Sequence, residues 1–130
     1  MMAKSSGIIV DTGIITNIFR GDKEKRELLK PIREELGISV ITAMELMNGA
    51  KNKMREFEVS KTVRAYNLYN LTSNSGTKAF AIISKYHLKH LISIDDALIA
   101  ATAIGNMLPL CTDNLNDYSF ITELGLFKPE

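Results

Sequence analysis

Four acidic residues occupy similar positions relative to the apolar segments of this chain. They are Asp11, Glu45, Asp96 and Asp117. Asp11 ends the first apolar run, Glu45 begins the helix after the second run, and Asp96 begins a helix that is apolar nearly all round. Asp117 lies in the polar segment after the third run. Their separations are too long for one helix face, so only the carboxyl edge of a parallel sheet could bring them together.

A cluster of carboxylates implies a cation. Two carboxylates about 4 Å apart repel by roughly 4 kcal/mol at an effective dielectric near 20, so four together are unfavourable unless positive charge neutralises them. Hard oxygen ligands suit Mg²⁺ or Mn²⁺ rather than Zn²⁺, and no Cys/His pattern favours zinc. His87 and His90, at the end of a helical segment, are interpreted as surface residues. A carboxylate-held divalent cation is typical of phosphodiester cleavage.

Each acid also has a purely structural interpretation. Asp11 can cap a helix, and Asp117 can be a turn residue. Glu45 and Asp96 can each close a capping box with the hydroxyl residue three positions earlier. This spacing places Asp96 in a first helical turn, where the helix dipole favours negative charge. The coincidence of all four at one edge nevertheless favours a shared acidic site.

The elements that would position these acids alternate along the chain. Short apolar runs predict strands at residues 7–10, 37–41 and 108–112, with a last short strand within residues 120–127. Helical spacing of apolar residues predicts helices at residues 12–19, 23–36, 42–69, 77–88 and 93–104. Gly21 is expected to end the first helix, and Pro31 to kink or divide the second. This alternation indicates an α/β domain with a mainly parallel sheet.

Composition narrows the class of protein. The chain has 130 residues, and we expect a single domain over residues 1–130. Sixteen basic and 15 acidic residues give a net charge of +1, so a polyanionic partner would have to be bound by a local patch. The single cysteine, Cys111, cannot form an internal disulfide and is predicted to be buried in a reducing compartment. No segment resembles a signal peptide or a membrane span, which predicts a cytoplasmic protein.

Four segments of the chain resemble the PIN-domain nucleases, and within them the VapC-type toxins of toxin–antitoxin pairs. The segments are residues 8–12, 38–50, 96–103 and 112–118, and the third is the most specific. The resemblance implies a three-layer α/β/α sandwich and a Mg²⁺- or Mn²⁺-dependent endoribonuclease. It also implies an RNA substrate, a small inhibitory antitoxin as partner, and a homodimer.

The resemblance also implies roles for individual residues. The catalytic, metal-binding acids would be Asp11, Glu45, Asp96 and Asp117. The supporting polar residues would be Thr12, Thr112, Asn114 and Asp113.

The chain departs from the family pattern at three positions. Asp113 stands where a basic residue is common, so either Asp113 or Asp117 could complete the site. Asp95 precedes Asp96 and could substitute for it. Gly13 follows Asp11 and Thr12, which resembles the active-site turn of aspartic proteases, but a retroviral-type protease is an all-β dimer and this chain is predicted to be mostly helical.

Three functional hypotheses remain at this level. In the first, the protein is an RNA-cleaving enzyme, with Lys51, Lys53 and Arg55 as candidate phosphate contacts, although these residues equally suit a solvated helix face. The second is a non-catalytic module that binds an antitoxin-like peptide or RNA. The third is the same nuclease chemistry in RNA maturation or decay, outside a toxin system.

Overall fold

The centre of the molecule is a short parallel sheet. The structure is a computed structural model, and it describes residues 7–129. Four strands pair in the order β3-β2-β1-β4, and every pairing is parallel. The strands are β1 (Ile8–Val10), β2 (Leu36–Ser39), β3 (Asn67–Tyr69) and β4 (Leu110–Cys111). Because the chain leaves β1 toward β2 on one side and later reaches β4 on the other, strand order reverses at β1.

Helices cover both faces of this sheet. They are α1 (Thr12–Phe19), α2 (Lys23–Leu29), α3 (Val40–Asn48), α4 (Lys53–Arg64), α5 (Ser73–Tyr86), α6 (Ile94–Gly105) and α7 (Leu115–Tyr118). Since successive strand residues point to opposite faces, Ile8 and Val10 join one buried cluster with Ile14 of α1, while Ile9 joins the other with Ala97 of α6. The predicted α/β/α sandwich is therefore confirmed, and the all-β protease alternative is excluded.

Helix α6 lies against the sheet as a buried helix. Its residues from Ile99 to Ala103 are all buried, as expected for a helix that is apolar nearly all round. Ser93 caps the helix, and its hydroxyl accepts a hydrogen bond of 3.0 Å from the backbone N–H of Asp96. Asp96 therefore occupies the first turn, as its spacing from Ser93 predicts.

The boundary between β2 and α3 differs from the prediction. The strand ends at Ser39, whose hydroxyl accepts a hydrogen bond of 3.1 Å from the N–H of Ile41 and so caps α3. Thr42 and Glu45 consequently lie inside the helix, and the capping box predicted for them is wrong. The run of β-branched residues that suggested a longer strand also continues into the helix, where local pattern does not distinguish the two structures.

The predicted helix over residues 42–69 is divided into three elements. Gly49 ends α3, and Asn52 begins α4 by accepting a hydrogen bond of 2.9 Å from the N–H of Arg55. Helix α4 then ends at Arg64, and the edge strand β3 follows. This strand was missed because it is three residues long and pairs only on one side, with β2.

Three further elements also differ from the prediction. Helix α5 begins at Ser73 rather than Thr77, because Thr72 and Ser75 form a capping box. Residues 115–118 form α7 in the polar segment after the third apolar run, where no helix was predicted. The last strand, predicted within residues 120–127, is reduced to one bridge between Leu110 and Leu126.

Other local predictions are confirmed. Gly21 follows α1 with a φ of 101°, a conformation that glycine adopts readily. Helix α2 ends at Leu29, and a 3₁₀ segment that contains Pro31 follows at Lys30–Glu35. Cys111 is buried in β4. Within residues 7–129, none of the helices is both long enough and apolar enough to cross a membrane.

Candidate active site

Asp11 lies at the carboxyl end of β1, where the strand order reverses and open parallel sheets characteristically bind ligands. Asp11 is only 4 % exposed. Oδ1 accepts a hydrogen bond of 2.9 Å from the N–H of Thr12, through which Asp11 caps α1. Oδ2 accepts one of 2.7 Å from the hydroxyl of Thr112, just beyond β4. Neighbouring elements therefore fix this carboxylate at the edge of the sheet.

Tyr118 joins Asp11 to Asp96. Its hydroxyl oxygen lies 3.2 Å from Asp11 Oδ1 and 3.1 Å from Asp96 Oδ1, and its side chain is completely buried. Burial raises the pKa of Asp96, and the charges of Asp11 and Asp117 raise it further, while the Tyr118 hydrogen bond lowers it. The two carboxylates thus share one donor in a partly desolvated setting.

Glu45 is held at the side of this pair. The Thr12 hydroxyl donates a hydrogen bond of 2.6 Å to Glu45 Oε1, and the Thr42 hydroxyl lies 2.8 Å from that of Thr12. Since the Thr12 hydrogen is directed to Glu45, Thr42 donates to Thr12. Burial raises the pKa of Glu45 to about 7; the Thr12 hydrogen bond opposes this rise, and the neighbouring Asp95 adds to it. Thr12 therefore connects α1 to the acid on α3.

Among residues 7–129, no basic side chain is paired with these acids. The ion pairs found within residues 7–129 involve other carboxylates, so no Lys, Arg or His nitrogen lies within 4.0 Å of the four predicted acids. In the same part of the chain, no three carboxylate, imidazole or thiol side chains are grouped closely enough to hold one metal ion as they stand. The structure thus joins Asp11 to Asp96 directly through a hydroxyl, with Glu45 at the edge of the pair.

The polar residues after β4 differ in their relation to the acidic pair of Asp11 and Asp96. Asp117, in the first turn of α7, is near enough for its charge to raise the pKa of Asp96. The carboxylate of Asp113 instead forms an exposed ion pair of 2.8 Å with Lys25. The backbone N–H of Asn114 donates to the Thr112 hydroxyl at 3.0 Å, which helps to orient that hydroxyl toward Asp11.

Tyr118 lies between Asp11 and Asp96 but was not among the residues predicted for the site. One tyrosine beside a polar turn is typical of a core residue, and most of its ring is indeed in the core. Its hydroxyl was the feature that could have indicated a role at the site. A buried tyrosine hydroxyl requires a hydrogen-bond partner, and carboxylates were expected nearby.

The three basic residues predicted to contact RNA do not all lie near the acidic site. Lys51 and Arg55 line a groove that reaches Glu45. Lys53 does not line it: its side chain is 95 % exposed and its ammonium lies 3.6 Å from Glu56.

Comparison with known proteins agrees with this architecture. Among solved structures, a toxin–antitoxin complex from Klebsiella pneumoniae contains a similar chain with 29 % identity and a TM-score of 0.79, over 95 % of this chain and 98 % of that one. A DNA-bound VapBC from Salmonella typhimurium gives 20 % identity and a TM-score of 0.80, over 93 % and 96 %. FitAcB from Neisseria gonorrhoeae gives 22 % and 0.75, over 94 % and 97 %, and these last two similarities concern the fold.

A search of curated proteins by sequence found no match. The family model for the PIN domain matches residues 8–116, which is well over half of the chain and includes Asp11, Glu45 and Asp96. The chain therefore belongs to the PIN-domain family.

Proposed function

We propose that this protein is a divalent-metal-dependent endoribonuclease of one domain, and that it is the toxin of a toxin–antitoxin pair. One observation carries the nuclease proposal: Asp11 and Asp96 share the Tyr118 hydroxyl at the reversal of strand order. Glu45 lies beside this pair, bonded to the Thr12 hydroxyl. Membership of the PIN-domain family supports it. The 29 % identical chain in a toxin–antitoxin complex supports the toxin role.

The donor set fits a hard cation. Asp11, Glu45, Asp96 and Asp117 would hold it, since all their donor atoms are oxygens and no basic side chain within residues 7–129 competes for them. When bound, Mg²⁺ or Mn²⁺ supplies acidification of water and neutralisation of the charge that builds on the scissile phosphate. Within residues 7–129 no three of these side chains are grouped closely enough to hold one ion as they stand, so binding would require the acids to move closer together.

The residues of the chain have separable roles in this proposal. Thr112, Tyr118 and the N–H of Thr12 fix the orientation of Asp11, so this acid would serve as the rigid ligand. Glu45 is less buried and has a pKa near 7, so its carboxylate would exchange a proton near neutral pH. The raised pKa of Asp96 would fall once a cation lies beside it.

Cleavage of purified RNA in the presence of Mn²⁺ tests the enzymatic proposal. The wild-type protein should cut RNA, and Asp96→Asn should reduce the rate by at least about 100-fold, since it removes a charge that would bind the cation. Glu56→Gln is a matched control, because this acid lies on α4 and pairs with Lys53 at the surface. Absence of cutting by wild type, or equal cutting by Asp96→Asn, would refute the proposal.

Calorimetric titration with Mn²⁺ separates an enzyme from a non-catalytic module of the same fold. Binding to wild type that is abolished by Asp11→Asn would exclude the non-catalytic module. Asp117→Asn is expected to weaken binding more than Asp113→Asn does, because Asp113 is paired with Lys25. Equal losses from both substitutions would contradict the assignment of Asp117 to the site.

The toxin role is tested by the neighbouring gene and by assembly. A small reading frame directly upstream should encode a protein that copurifies with this chain and inhibits its cleavage of RNA. Light scattering should give the mass of a homodimer for the chain alone. An active nuclease without such a neighbour would instead favour a role in RNA maturation or decay.

A further inference from the structure

A groove of about 500 Å³ lies beside the acidic site, between the end of α1, the end of α3 and the start of α4. Glu45 lines it, so the groove leads to the acidic site. Three basic residues also line it: Arg20, Lys51 and Arg55. Positive charge from the end of α1, the connection between α3 and α4, and α4 itself is thus gathered along one groove that also includes the carboxylate of Glu45.

Two of these cations are available to a ligand. Within residues 7–129, neither Arg20 nor Lys51 has a carboxylate within 4.0 Å. Arg55 is partly neutralised by Glu58 at 2.9 Å, and its guanidinium carbon lies 5.8 Å from the ring centroid of Phe19. The groove therefore combines free positive charge with one aromatic side chain in its wall.

We propose that this groove binds the backbone phosphates of a single-stranded RNA and leads the strand to the acidic site. The inference rests on the proposed nuclease function and adds the path of the substrate. A positive groove with an aromatic wall is the usual combination for single-stranded nucleic acid. Because the net charge of the chain is only +1 and the acidic site repels phosphate, attraction must come from a local patch such as this one.

The same geometry excludes Lys53 from the strand's path. Lys51 and Lys53 are two positions apart, yet only Lys51 lines the groove. Lys53 projects into solvent and lies near Glu56. The two lysines therefore form a matched pair in which only one substitution should affect binding of RNA.

Binding of a fluorescent single-stranded RNA, measured by anisotropy over a range of salt concentrations, tests the proposal. All variants carry Asp96→Asn so that the RNA stays intact. Addition of Arg20→Ala, Lys51→Ala and Arg55→Ala should weaken binding at low salt by roughly tenfold or more. The slope of log affinity against log salt should become shallower by about 2, because each phosphate that a cation neutralises accounts for about 0.7 of that slope on a single strand. Lys53→Ala should change neither quantity.

The outcomes separate failure of the groove from failure of the nuclease function. Unchanged affinity and slope in the triple variant would overturn the groove, even if wild type cuts RNA. If the triple variant keeps its affinity for RNA but no longer binds the proposed antitoxin, the groove would instead be the binding site of that partner. No RNA binding by the parent would overturn both the groove and the RNA substrate. As a control, the three substitutions are also combined with an intact Asp96. Mn²⁺ should raise the thermal unfolding temperature of this variant as much as that of wild type, which would demonstrate that the acidic site is intact.

Discussion

Replacement of Tyr118 by phenylalanine removes one buried hydroxyl and retains the ring. That hydroxyl lies 3.2 Å from Asp11 Oδ1 and 3.1 Å from Asp96 Oδ1, and the side chain is completely buried. Burial first, and then the two carboxylates, raise the pKa of Tyr118, so the hydroxyl remains a neutral donor. The substitution therefore deletes a hydrogen bond to a carboxylate and changes little else.

The size of the effect follows from this geometry. A hydrogen bond to a charged group contributes about 1.5–3 kcal/mol, and here two acceptors share one hydrogen. We therefore expect Tyr118→Phe to lower the free energy of unfolding by about 1.5–2 kcal/mol near neutral pH.

The destabilisation should also depend on pH. The hydrogen bond from Tyr118 lowers the pKa of Asp96, so its removal raises that pKa in the folded state. A carboxyl with a raised folded pKa contributes stability that is present below its unfolded pKa and is lost as pH rises through the folded value. The variant should therefore fall further below wild type as pH increases through the pKa of Asp96.

Urea unfolding in the presence of a chelator, at about pH 4.5 and about pH 7.5, measures both quantities. Tyr86→Phe is the matched control, because its hydroxyl is at the surface, 3.4 Å from Thr122 Oγ1. This control should cost less than about 0.5 kcal/mol at either pH. Equal stability of Tyr118→Phe and wild type, or a difference that shrinks as pH rises, would refute the reasoning. Mn²⁺ affinity should fall by about tenfold or more, as for other groups that orient metal ligands.

Three further substitutions test the fold and the site. Gly37→Ala should lower the free energy of unfolding in urea by about 1–3 kcal/mol, because its Cβ would lie 2.4 Å from Tyr69 Cε1. Gly76→Ala should raise it by about 0.5–1 kcal/mol, since nothing lies within 4 Å of the added Cβ in α5, and a decrease there would contradict this. Glu45 has a pKa raised from 4.5 to about 7, so its contribution to stability is present below pH 4.5 and is lost as pH rises through about 7. Glu45→Gln has no carboxyl to titrate. Without divalent cations, its free energy of unfolding should therefore rise relative to that of wild type by roughly 1–2 kcal/mol over that pH range. A difference that stays constant with pH would contradict the raised pKa of Glu45.

The sequence predicted best where local pattern and tertiary role coincide. Asp96 is an example, because its backbone N–H takes part in the cap of a buried helix while its carboxylate accepts a hydrogen bond from the Tyr118 hydroxyl beside Asp11. The position of Asp11 was also predictable, since an acid directly after a buried parallel strand can only lie at the carboxyl edge. Both predictions required only the order of strands and helices along the chain. That order can be read from short stretches of sequence.

The rest depended on contacts between distant segments. Thr12 and Glu45 are joined by one hydrogen bond across α1 and α3, and neither residue's neighbours in the sequence indicate it. The hydroxyl of Tyr118 contacts Asp11 only once α7 has formed, in a polar segment where no helix was predicted. Strand β3 exists because β2 offers an edge, so its own three residues could not predict it.

The way in which the acids are held explains how this fold keeps an acidic site. Hydroxyls from Thr12, Thr112 and Tyr118 orient the carboxylates but do not neutralise them, so the negative charge remains available to a cation. A lysine or arginine in the same place would neutralise the carboxylates and fill the site with its own charge. Burial without neutralisation raises the pKa values of Glu45 and Asp96, which means that charge repulsion and desolvation offset part of the folding free energy. A bound divalent cation would relieve that repulsion, so cation affinity and the instability of the cation-free protein have the same physical origin.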